Sequence, residues 1–216
     1  MAIADYDTLR ASVQSWTARN DSKMLGQFPT LVALTEDRIF DGAGADRDDP
    51  LYSPPVRAQI MEERQTITLT EGRGGLPARY LDMRRLNRVG SINEEIVYLP
   101  PPAFAAQTRT LTGIMPMYYT IEAQELITAP VYDGDLESLC YIRPLALGVS
   151  NQTNNMLTAY GSLYLMGCLH EAYTFMLDAE KAILFKEKRD QMAEELEDFQ
   201  DDVAAPVSIR IMGVVV

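Results

Sequence analysis

The sequence predicts an α+β protein in which N- and C-terminal helices form a four-helix body, with an inserted antiparallel β region and an extended C-terminal tail. Three observations carry this reading. Apolar residues recur at helical spacing near the N-terminus and again from Asn154 onward. Between these blocks lie short alternating segments separated by Pro and Gly. The chain then closes on PVSIRIMGVVV, residues 206 to 216, where Val207, Ile209 and Ile211 alternate with Ser208, Arg210 and Met212 in strand periodicity. The expected organisation is a helical body from residues 1–45 and 151–205, a β-rich insertion over 57–147, and an extended arm over 206–216.

The first helix is expected from about Tyr6 to Ala18, with Leu9, Val13 and Trp16 on one stripe and Asp5 or Asp7 as its cap. LGQFPTLVALTEDRIF gives a second helix that ends at Gly42 and Gly44, with Pro29 in the first turn or at a kink. AGADRDDPLYSPP, residues 43 to 55, reads as a long loop because it joins Gly, Asp and Pro without periodicity. QTITLT (65 to 70) opens the β region and EGRGG turns it. Further strands are EIVYL (95 to 99), MYYTI (117 to 121), ELIT (125 to 128) and LESLCYI (136 to 142), the last following the turn at Asp133 and Gly134. Short connections imply antiparallel pairing. PPPAFAAQ, residues 100 to 107, begins a short helix on proline. Two long helices follow, broken near Leu177 and Asp178. The first is apolar nearly all round, which marks a buried helix; the second carries a narrower stripe of Phe185, Met192, Leu196 and Phe199.

Composition excludes several classes. At 216 residues and 47% hydrophobic content the chain can bury a sizeable core. It shows no secretory leader pattern and no apolar run of membrane-spanning length, so the tail must be buried against protein. Cys140 and Cys168 have neither the density nor the spacing of a disulfide framework or zinc site, and read as apolar core residues. A net charge of −12 opposes binding by phosphate neutralisation, though not DNA sliding past.

The remaining motifs are weak carriers of chemistry. His170 is the sole histidine, and HEAYT lacks the second His of a zinc-protease pattern. On its stripe with Leu163, Met166, Gly167, Tyr173 and Leu177 it reads as a core or interface residue. EGRGG lacks the Lys-Ser or Lys-Thr of a phosphate loop. Arg73, Arg79, Arg84, Arg85 and Arg88 form a basic cluster: solvated surface, salt bridging to a neighbouring subunit, or DNA contact. Glu194, Glu195, Glu197, Asp198, Asp201 and Asp202 crowd the end of the last helix against its dipole, either as a solvated end or as an acidic face for a basic partner. No catalytic residue, cofactor site or metal site is expected.

The order of these motifs resembles the head-to-tail adaptor proteins of tailed bacteriophages. DYDTLRASVQSWTARND and FPTLVALTEDRIF are similar to the family's opening, an aromatic-led helix ending near Trp and a second helix carrying a small residue followed by Glu, here Thr35 and Glu36. GGLPARYLDMRRL resembles the Leu-Pro segment after the first hairpin, and Tyr119, Ile121, Leu126, Pro130, Leu136 and Tyr141 keep the family's order. NNMLTAYGSLYLMGCLHEAYTFMLDAEKAILFKEKRDQMAEEL resembles its last helices.

The resemblance implies a structural virion protein of the neck, made in the host cytoplasm. It implies a homo-oligomeric ring, commonly of twelve copies, that docks beneath the portal protein, carries a tail or nozzle protein, and lets double-stranded DNA pass without sequence-specific binding. Such a ring needs two different complementary faces per subunit. Arg79, Arg84, Arg85 and Arg88 facing Glu194, Glu195, Glu197 and Asp198 would supply inter-subunit salt bridges, while mainly acidic walls would keep phosphates from sticking. Val207, Ile209, Ile211, Val214, Val215 and Val216 would bind a portal or neighbouring subunit as an added strand, or pair within their own sheet. The alternative is a small soluble hydrolase with an acid/base site near His170 and Glu171. That reading requires a concave pocket with a perturbed acid and activity as a monomer; the adaptor reading expects no such pocket and a requirement for assembly.

Overall fold

A computed structural model describes residues 3–44, 52–90, 94–109 and 111–204, with side chains to Leu196 in the last helix. It is α+β: five helices, of which the N- and C-terminal ones pack together, and two inserted β-sheets. The chain divides into two compact units.

The helical unit comprises the described parts of Met1–Ala58, Leu147–Thr153 and Leu157–Val216. Helix α1 (Tyr6–Thr17) starts at Asp5, whose carboxylate accepts from Thr8 N at 2.7 Å while Thr8 Oγ1 takes the Asp5 N–H at 3.0 Å. This reciprocal cap satisfies N–H groups that the first turn leaves without a partner. Trp16, expected on the buried stripe, is 52% exposed. Its ring meets Phe185 edge-on at 6.0 Å, and its carbonyl accepts from the Tyr173 hydroxyl at 3.2 Å.

Helix α2 (Ser22–Phe40) begins earlier than the periodicity indicated, because Asp21 caps it through Met24 N at 2.9 Å. Pro29 therefore lies inside the helix, beyond its first turn. The helix gives way to Gly42 and Gly44, both at positive φ. Phe28, Leu31, Val32 and Ile39 are buried, as their spacing required.

Helices α4 (Asn155–Phe175) and α5 (Ala179–Ala204) form the expected hairpin, its turn made by Leu177 at φ 60°. Residues 163–173 of α4 are all buried, which accounts for a helix without a polar face. Tyr173 stacks on Phe185 of α5 with centroids 5.4 Å apart. The buried side of α5 includes Ala182, Phe185, Ala193 and Leu196, but also Arg189.

The sheet unit spans Gln59–Ala146 with Asn154–Met156. One sheet has the order β1-β7-β3, from β1 (Glu62–Leu69), β7 (Gly134–Ile142) and β3 (Tyr80–Arg88), all antiparallel. The other runs β2-β6-β5-β4, from β2 (Arg73–Gly75), β6 (Glu125–Ala129), β5 (Tyr118–Glu122) and β4 (Val97–Tyr98). The β4–β5 pair is parallel, against the uniformly antiparallel expectation. The connection explains it: the short helix α3 (Pro101–Gln107) lets the chain return before it re-enters the sheet.

The arginine-rich segment is itself a strand, β3, which its irregular alternation concealed. EGRGG is a turn that also supplies β2. Gly74 there lies so close to β1 that a β-carbon would sit 2.8 Å from Ile67 Cγ2 and 2.9 Å from the Thr68 carbonyl oxygen. Ile67, Leu69, Leu86, Ile96, Tyr119, Leu126 and Leu136 form the core of this unit.

Candidate functional site

A concavity lies at the α4–α5 hairpin. A cleft of about 480 Å³ is lined by Arg38, His170, Thr174, Leu177, Ala179, Ala182, Ile183 and Lys186. The adaptor resemblance led to the expectation of no concave pocket with a perturbed acid; the structure shows a cleft beside the turn at Leu177.

Its chemistry follows from three contacts. Arg38 Nε lies 2.6 Å from Glu171 Oε1, and that carboxylate is almost fully buried. Such a pair is favourable only when its geometry offsets the cost of removing two charges from water. His170 Nδ1 lies 2.9 Å from the Ala182 carbonyl oxygen, so the ring donates from Nδ1 and leaves the Nε2 lone pair 3.7 Å from Glu171 Oε1, beyond hydrogen-bond reach. Burial pushes the His170 pKa below its ordinary value, and the charges of Arg189 and Arg38 act in the same direction against the Ala182 hydrogen bond and Glu171. The imidazole is therefore neutral near pH 7.

A hydrolase would need a nucleophile or a polarised water within reach of that ring. The cleft's one hydroxyl, Thr174 Oγ1, donates to the His170 carbonyl oxygen at 2.8 Å and is committed to its own helix. The Cys168 thiol is fully buried, and burial pushes its pKa up to about 12. That favours the unreactive protonated form. The arrangement holds helices together and presents an apolar hollow bordered by two cations.

Thr35 and Glu36 join this framework from α2. Thr35 Oγ1 donates to the Leu31 carbonyl at 2.8 Å and approaches Cys168 Sγ at 3.6 Å. Glu36 Oε1 accepts from Leu147 N at 3.1 Å and from the Tyr164 hydroxyl at 3.4 Å. Nearby, Arg189 is 1% exposed and donates to Ser53 Oγ at 2.7 Å, while Lys186 Nζ reaches the Tyr52 carbonyl at 2.5 Å and Asp190 Oδ2 at 2.9 Å. These bonds tie the segment around Ser53 to α5.

The arginine cluster is held within its own unit. Arg84 pairs with Glu62, Arg88 Nη2 lies 3.1 Å from Glu94 Oε2, and Arg79 Nη1 donates to the Arg143 carbonyl at 2.7 Å. Arg85 lies on the same strand, partly buried. On α5, Glu194 and Glu195 are exposed, and Glu195 accepts from Gln191 at 2.8 Å. The side chains of Glu197 and Asp198, and all of Val207, Ile209, Ile211, Val214, Val215 and Val216, lie outside the described residues. Sequence reasoning found His170 and Glu171 but missed Arg38, Lys186 and the Ala182 carbonyl. Nothing local in the sequence marks Arg38 as Glu171's partner.

Among the described residues, no helix is long and apolar enough to cross a membrane. No curated protein matches the chain. The model of one protein family, described as SU10 adaptor protein, matches residues 4–210.

Proposed function

The chain belongs to the SU10 adaptor protein family, structural proteins of phage virions, and from that premise we propose that it forms the head-to-tail adaptor ring, docking beneath the portal protein and offering a platform to a tail or nozzle protein. The observation that carries this reading is the family match across nearly the whole chain. The committed Thr174 hydroxyl and unreactive Cys168 thiol weigh against the hydrolase alternative at His170 and Glu171.

In this reading the ring commonly has twelve copies, sits in the neck at the portal vertex, and lets double-stranded DNA pass. The net charge of −12 supports passage without sequence-specific binding, because like charge disfavours phosphate contact. Salt bridges between Arg79, Arg84, Arg85 or Arg88 of one subunit and Glu194, Glu195, Glu197 or Asp198 of the next remain part of the proposal. They require Arg84 and Arg88 to exchange their pairs with Glu62 and Glu94.

The tail is the proposed clamp. Its alternation suits strand addition to a portal or neighbouring subunit, and each buried Val or Ile contributes about 1.5 to 3 kcal/mol before ordering costs. The test is the mass of the purified protein alone and with portal rings, for the full chain and for a deletion of residues 207–216. A portal complex formed by the full chain and lost on deletion is expected. Unchanged docking of the truncated chain would sink the clamp; a full chain that ignores portals would overturn the adaptor reading.

A further inference from the structure

We infer that the α4–α5 cleft binds an acidic residue flanked by aliphatic side chains, presented by an extended segment of a partner protein. The inference rests on the adaptor reading for one point, that the occupant is another protein. All the residues that line the cleft belong to the helical unit.

The charged lining of the cleft is cationic, Arg38 and Lys186. Arg189 follows Lys186 by one turn of α5, is 1% exposed, and is close enough for its charge to act on His170. These three cations share two carboxylates. Arg38 takes Glu171 through Nε at 2.6 Å, while Lys186 Nζ and Arg189 Nη2 both fall on Asp190, at 2.9 and 2.5 Å. One positive charge is left over in a cluster largely removed from water, and Arg189 Nη1 is buried without a hydrogen-bond partner among the described residues. An uncompensated buried cation is costly, so the cluster favours an arriving anion. Because Arg38 meets Glu171 through Nε, its terminal nitrogens remain as a planar pair of donors, the geometry that suits a carboxylate.

The aliphatic part of the lining sets what must accompany that carboxylate. Leu177 is 91% exposed and Ile183 57%, on either side of Ala179 and Ala182. Apolar side chains grouped in a concavity and left in solvent mark a surface made to be covered. At about 480 Å³ the cleft has the size of sites that enclose a few side chains.

His170 selects a peptide over a simple alkyl carboxylate. Its Nδ1 donates to the Ala182 carbonyl at 2.9 Å, which leaves Nε2 as an acceptor, 3.7 Å from Glu171 Oε1. An extended peptide brings a backbone N–H beside every side chain and can supply the missing donor. An aliphatic acid has none to offer. Cation fork, aliphatic wall and ring acceptor together match a segment in which one Asp or Glu sits between Leu, Ile or Val.

His170 is the chain's sole histidine, so its imidazole gives a single NMR reporter inside the cleft. The full chain is titrated with the end-blocked peptide Ala-Leu-Glu-Leu-Ala and with its Gln counterpart. The Glu peptide should shift the imidazole signals saturably, and the Gln peptide should bind about tenfold more weakly. Lys186→Met keeps the aliphatic stem, leaves Asp190 paired with Arg189, and should erase most of that preference. Ile183→Glu, at an exposed position, places the protein's own carboxylate in the lining and should abolish binding. Equal affinity for the two peptides, no imidazole shift at millimolar peptide, or undiminished binding to Ile183→Glu each overturns the site. Octanoate that binds as tightly as the Glu peptide assigns the cleft to small amphiphiles and overturns the peptide occupant. Portal loading of the unsubstituted chain is scored separately: loading without peptide binding removes the cleft site alone, and peptide binding without loading removes the adaptor reading alone.

Discussion

Thr35 and Gly167 approach so closely that a β-carbon added to Gly167 would lie 2.4 Å from Thr35 Cγ2. Side chains do not tolerate that separation, so the absence of a β-carbon on α4 sets how near α2 can pack. Gly167→Ala should therefore destabilise the protein by about 1–3 kcal/mol through overpacking, despite alanine's better helix propensity. In a Thr35→Ala background the clashing methyl is gone, and Gly167→Ala should become neutral or stabilising. Urea midpoints of the four variants in this cycle check the coupling.

Glu36 is buried and accepts from both Leu147 N and the Tyr164 hydroxyl. Glu36→Ala should cost about 1–3 kcal/mol, because the Leu147 N–H loses a buried acceptor. Glu36→Gln keeps an acceptor oxygen and should cost clearly less. Equal losses in chemical denaturation would show that packing, not the hydrogen bonds, matters at this position.

His170 should make stability depend on pH in a definite direction. Its folded pKa lies below the ordinary 6.5 because the ring is buried. The unfolded chain therefore takes up a proton that the folded one refuses. This contribution is fully present above pH 6.5 and declines as the pH falls from 6.5 toward the folded value, by at most about 1.4 kcal/mol per pH unit. His170→Asn keeps a donor for the Ala182 carbonyl and should flatten that part of the curve. A slope unchanged by the substitution would assign it to other groups.

The periodic elements were legible because one physical signal dominated each. Asp5 and Leu9 marked α1, the all-round apolar run marked buried α4, and Asp133-Gly134 opened β7. β3 was not legible: its charged residues break the alternation, and ion pairs such as Arg84 with Glu62 make that face tolerable only once the sheet exists. Trp16 and Pro29 misled for the opposite reason, since local preference assigned them places that tertiary packing and the Asp21 cap then changed. At the cleft, His170 and Glu171 stood out by residue type, whereas Arg38 became relevant only through the folding that brings α2 against α4. The arginine cluster was visible as charge, but partners such as Glu62 for Arg84 are set by sheet register, which no single segment encodes.

The hydrogen bonds of Glu36 and Thr35 to Leu147, Tyr164 and Cys168 join positions 111, 128 and 133 residues apart. During synthesis, α2 leaves the ribosome well before the segments it needs have been made. The sheet strands between them pair over shorter spans, such as β5 with β6, and face a smaller loop-closure cost. The nascent chain must therefore carry Thr35 and Glu36 without their Cys168 and Tyr164 partners until α4 emerges. Completion of the helical unit therefore waits for the last helices to be translated.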